Sequence, residues 1–185
     1  MVASARALLE RARGQGGHCY ADQDFSPISE LDVEILAHRF GARIRVAPLP
    51  DEIQELAVPG IAGPHTLRIN RDLPPAFRRL AMRHGLAHVI AGELEGDHDG
   101  GPRFLSSFQD WMSLEERRAD LFALADLIPD RLLEAVVGAH SSPLSALWWM
   151  ASQVQQFVPG WGKDRVEDRA RLRWELYFES PGVSP

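Results

Sequence analysis

Between Pro74 and Glu93 runs a stretch that should form a largely buried helix, and the rest of the chain has to supply what covers it. Pro74-Pro75 opens the stretch, where a proline in the first helical turn gives up an N–H that has no helical partner anyway. Phe77, Leu80, Ala81, His84, Ala87 and His88 then share one broad face, and Val89, Ile90 and Ala91 continue in apolar residues. Gly92 to Pro102 is rich in Gly and Asp and reads as a loop.

The flanking segments supply helices and a few strands. Ala5, Leu8, Leu9 and Ala12 give residues 3–13 a helical stripe that Gly14-Gln15-Gly16-Gly17 ends. Ser29 offers an N-cap to a second helix whose apolar stripe is Leu31, Ile35 and Leu36, closed by Gly41. The period then changes to two in Ala42-Arg43-Ile44-Arg45-Val46 and again in His65-Thr66-Leu67-Arg68-Ile69. Two or three antiparallel strands are expected, with residues 51–58 either a strand or a loop. Ser113 and Glu116 form a capping-box pair for a helix that stops before Pro129, and a further helix is expected at about 130–138. Leu144 to Phe157, with Trp148 and Trp149, reads as a core helix, the alternative being an exposed docking patch for a partner helix formed with Leu144, Leu147 and Met150. In the last helix Arg165, Arg169, Arg171 and Arg173 alternate with Asp164, Glu167, Asp168 and Glu175, the pattern of a salt-bridged solvated face.

The fold class expected is α+β, mostly helical with a short antiparallel sheet, in a single domain spanning 1–185. A formal net charge of −6 argues against a dominant nucleic-acid surface. One cysteine, Cys19, cannot close an internal disulfide and fits a reducing cytoplasm. The first residues carry no apolar core of signal-peptide length, and no stretch approaches the roughly 18 consecutive apolar residues of a membrane span. These readings point to a soluble cytoplasmic protein.

His84 and His88, four apart on a helix, can both point at one ion, as in the zinc motif H-E-x-x-H. The position after the first histidine, where a zinc peptidase keeps its glutamate, is Gly85. Catalytic zinc usually has three protein ligands, and Glu116 on the next helix is the candidate for the third. Asp120, one turn further, can hold the free ring nitrogen of His84 or His88. Glu93 and Glu95 lie nearby, but neither shares the position of residue 85. His38, His65 and His140 read as surface or structural residues, and Asp97-His98-Asp99 as a solvated loop. Cys19 and His18, being adjacent, point apart and make no nucleophile pair.

Three stretches together resemble the ImmA/IrrE-type metallopeptidases. Ile69-Asn70-Arg71-Asp72-Leu73-Pro74-Pro75 with Arg78-Arg79 looks like that family's strand, turn and helix entry. His84 and His88 fall on its histidine ligands. Glu116-Arg117-Arg118-Ala119-Asp120-Leu121-Phe122-Ala123, followed by Leu127-Ile128-Pro129, is similar to its E-x-x-A-N/D-x-F-A…L-x-P signature, whose glutamate is the third ligand. The resemblance is strongest over 29–130 and leaves 135–185 as a helical extension. It implies a zincin-like domain that binds zinc through His84, His88 and Glu116, with Asp120 orienting a histidine. It also implies a regulatory role, the cleavage or removal of a helix-turn-helix repressor. The chain departs from the family at Gly85, which cannot act as a base worth typically ~10²–10⁴-fold in rate. The alternatives are a pseudopeptidase that binds and sequesters its partner, or a phage-type toxin or interaction module that keeps only the fold.

Overall fold

A computed structural model describes residues 2–14, 30–60, 63–94, 103–105, 111–139 and 142–178. Its elements run α1 (Val2–Gly14), α2 (Glu30–Arg39), β1 (Ala42–Ala47), β2 (Glu55–Val58), β3 (His65–Asn70), α3 (Pro75–Ala91) and β4 (Arg103–Leu105). They continue with α4 (Leu114–Leu127), α5 (Asp130–Ala139), α6 (Pro143–Phe157) and α7 (Lys163–Phe178). The α+β class expected from the sequence is the class observed.

The sheet departs from the expectation in one respect: it is mixed, in the order β1-β3-β2-β4. β2 pairs antiparallel with both β3 and β4, but β1 pairs parallel with β3, Ile44 opposite Leu67. Alternating hydrophobicity marks a strand without saying which strand lies beside it. The segment after β1 carries the chain past the neighbouring place to β2, and β3 returns into the gap. Residues 51–58 therefore resolve as a loop plus β2. β4, three residues long, had no period to announce it.

Strand register fixes what faces the helices. Leu67 and Ile69 of β3 point inward, and their partners on β2 are Ala57 and Glu55. That side of the sheet packs on α3, whose Leu86 and Ile90 are fully buried. Each such side chain is worth roughly 1.5–3 kcal/mol in removed apolar surface. α1, α2 and the sheet cover one side of α3, while Phe77 and Leu80 join a second apolar cluster with α4, α5, α6 and α7. α3 ends at Gly92, whose left-handed backbone (φ 78°) lets its N–H reach the carbonyls of His88 and Val89.

Two expectations about the C-terminal helices need correction. Arg165, Arg169 and Arg173 of α7 are buried, not solvated. Each meets an acid or carbonyl on another element, which local charge alternation cannot reveal. Only Arg171 behaves as expected, exposed and paired with Glu175 one turn on. In α6, Ala146, Met150 and Val154 form the core face, but Leu144 and Trp148 lie in solvent.

Candidate metal centre

α3 brings His84 and His88 one turn apart, so their Nε2 atoms face each other at 2.9 Å. α4 brings the third group. Ser113 caps this helix by accepting the Glu116 N–H at 3.2 Å, which is one half of a capping box. The Glu116 carboxylate turns instead to the histidines, with Oε2 3.3 Å from His84 Nε2 and Oε1 3.6 Å from His88 Nε2. Ligand atoms of these three buried residues all lie within 4.8 Å of one another.

A second layer of acids holds the rings from behind. His84 Nδ1–H donates to Asp120 Oδ1 at 2.8 Å, and His88 Nδ1–H donates to Glu93. Both imidazoles are thereby held with Nε2 toward the centre, the arrangement that raises the basicity of metal-bound histidine. Asp120 Oδ2 accepts from Arg165 at 2.9 Å and from Arg169 Nε at 2.7 Å. The Arg165 guanidinium in turn lies over the Trp161 ring, 3.7 Å from its centroid. Glu93 also pairs with Arg118, so it serves His88 from the far side of the ring rather than standing in at position 85.

One residue of the site had not been singled out from the sequence. Glu55, the first residue of β2, is 1% exposed and places Oε1 3.4 Å from His84 Nε2. Its signal was faint. It shares the inward face with Ala57, where an acid has no ordinary place, and opposite it the helix carries a glycine. His38 is exposed as expected, and His65 is half-buried with Nδ1 accepting the Gly60 N–H at 3.3 Å. Cys19, His18, Glu95, the Asp97–Asp99 run and His140 lie outside the described residues.

The electrostatics follow from crowding acids and imidazoles out of water. Burial opposes a charge on His84, but Glu55, Asp120 and Glu116 outweigh it and lift that ring's pKa well above the ordinary value. Burial together with the charge on His84 drives His88 well down. Burial lifts the Glu55 carboxyl, Glu116 and Asp120 add to the rise, and His84 only partly offsets them, leaving it at about 8. Asp120 goes the other way: Arg165, the His84 hydrogen bond and Arg169 overcome burial and hold it far below the carboxylate range.

The donor set suits a divalent cation. A tetrahedral ion ~2.0–2.1 Å from each ligand keeps those ligands about 3.3 Å apart, close to the 2.9, 3.3 and 3.6 Å separations here. Glu116 Oε2 is buried with no hydrogen-bond partner, an atom a cation would satisfy. Two imidazole nitrogens and one carboxylate can hold a metal ion.

Residues 30–146, well over half of the chain, match the Peptidase_M78 family, the IrrE N-terminal-like domain. The chain belongs to that family. No curated protein and no solved structure matches it. In this IrrE-like domain the matched region begins at α2 and ends within α6, so α7 lies beyond it. Yet α7 supplies Arg165 and Arg169, which hold the acid behind His84.

Proposed function

We propose that the domain is a zinc-dependent peptidase-type regulator, with His84, His88 and Glu116 as ligands and Asp120 as the acid that orients His84. One observation carries this reading. Two buried imidazoles and a buried carboxylate converge on one point, and both Nδ1 atoms are occupied by acids. When bound, zinc supplies Lewis-acid polarisation of a scissile carbonyl. The chain's own part is to keep both Nε2 atoms inward and to exclude bulk water from His84 and His88. The partner we infer is a protein, a helix-turn-helix transcriptional repressor met in the cytoplasm, with no direct nucleic-acid contact. Membership of the family supports a protein substrate. The net charge of −6 argues against a phosphate-binding face. Among the described residues, no helix is long and apolar enough to cross a membrane.

The test is a metal count on protein purified without added chelator or metal, beside a His88→Ala control. About one zinc per chain, lost in the control, is expected for a three-ligand site. No zinc, even after zinc is added, would sink the reading and leave a binding protein on a peptidase frame.

Gly85 supports a second reading, a pseudopeptidase that binds its repressor and sequesters it. A repressor captured in a stable complex and recovered uncut by the zinc-loaded chain would favour it.

A further inference from the structure

The Glu55 carboxylate is the most anomalous group in the described residues. It is 1% exposed and faces His84 Nε2 at 3.4 Å through Oε1. A carboxylate buried on the inward face of a strand costs desolvation and asks for a cause. The cause lies across the gap, at Gly85. A Cβ built on that residue would stand 3.2 Å from Glu55 Oε2, and 3.4 and 3.5 Å from the two methyls of Leu67. Glu55 thus reaches over the bare face of α3 into the space beside a side chain at position 85. Antiparallel pairing of Glu55 with Ile69 aims it there.

Resting on the peptidase reading above, we propose that Glu55 is the displaced proton acceptor of this centre: β2 supplies the acid that α3 lacks at position 85. Two distances place it. Glu55 Oε1 is 3.4 Å from His84 Nε2, so it borders the ligand set. It is not a member of the mutually close group of His84, His88 and Glu116, so it stands beside the ligands rather than among them. In peptide hydrolysis the oxygen of water bonds to the carbonyl carbon and the C–N bond breaks. In its ionised form Glu55 takes one proton from that water and passes it to the leaving nitrogen, giving an acid and an amine with Glu55 unchanged. Gly85 is then no lesion in the motif. It is the vacancy that admits a carboxylate from another strand.

Glu55→Gln keeps the shape and removes the proton acceptor. With zinc bound and 4-nitrophenyl acetate as probe, its zinc-dependent hydrolysis should fall ~10²–10⁴-fold. Zinc content and the visible spectrum of the cobalt-substituted protein should stay those of the wild type. A spectrum that shifts, or cobalt that is lost, would make Glu55 a ligand and overturn the proposal; so would an unchanged rate. The swap gives an independent arm: Glu55→Ala should be inactive, and Glu55→Ala with Gly85→Glu should regain at least about tenfold of the lost rate. No regain in a folded, zinc-loaded double variant also counts against it. Wild-type protein that binds zinc but hydrolyses no faster than its zinc-free form defeats this inference alone. Wild-type protein that binds no zinc defeats the peptidase reading and this inference with it.

Discussion

Glu55 and Gly85 share one space: the β2 carboxylate fills the site beside a helix residue that has no side chain, with 3.2 Å between Oε2 and the place of a Cβ. Two opposed effects meet in Gly85→Ala. A helix interior gains about 1 kcal/mol on replacing Gly with Ala, while Glu55 must yield a few tenths of an ångström and the Leu67 methyls stay in ordinary contact. The nearest atom is the far end of a flexible side chain. Chemical denaturation is therefore expected to show a net change below about 1 kcal/mol, and a large loss would mean that Glu55 is held rigidly.

Asp120 answers three buried groups at once, His84, Arg165 and Arg169. Asp120→Asn leaves two buried guanidiniums facing an amide. Removing one partner of a buried ion pair typically costs about 3–5 kcal/mol, so the urea midpoint should fall steeply. Where the variant still folds, zinc affinity should weaken ~10–100-fold through the unsupported His84 ring.

Much of this candidate site is legible in the sequence, and the residues that are not share a reason. His84 and His88 declare themselves by spacing within one helix. Glu116 and Asp120 stand out because a family pattern links them to that helix. Glu55 has no such local sign: its role depends on strand register against β3 and on the helix packed above. The α7 arginines mislead on the same ground. Alternation with Asp and Glu looks like a solvated face until α4 supplies Asp120 and the Ile128 carbonyl as buried partners. Local pattern finds elements; partners distant in sequence decide what those elements bury.

Arg173 tests that last point. Its Nε and Nη2 donate to the Ile128 carbonyl at 3.0 and 2.7 Å, closing the C-terminal end of α4 from α7. Arg173→Met fills a similar volume but leaves that buried carbonyl unsatisfied, a loss of about 1–3 kcal/mol. Thermal melting should show it, with metal content unchanged, since Arg173 does not contact the candidate metal-site residues in the described contacts.

Asp168 sets a pH dependence on the outer side of α7. Burial raises its carboxyl, but hydrogen bonds from Arg117 and Arg169 and their charges prevail and hold it below the ordinary value. The Arg117 contact is 2.8 Å and mostly shielded from water. Because the folded pKa is depressed, the folded state binds this proton less readily than the unfolded chain does. Its stabilisation is therefore present above the unfolded carboxylate pKa of about 3.9 and is lost as pH falls through the folded value. Unfolding free energies measured by urea from pH 2 to pH 6 should rise with pH, and Asp168→Asn should flatten that rise. An equally steep curve in the variant would assign the acid sensitivity to other carboxylates and leave the Arg117–Asp168 pair without measurable weight.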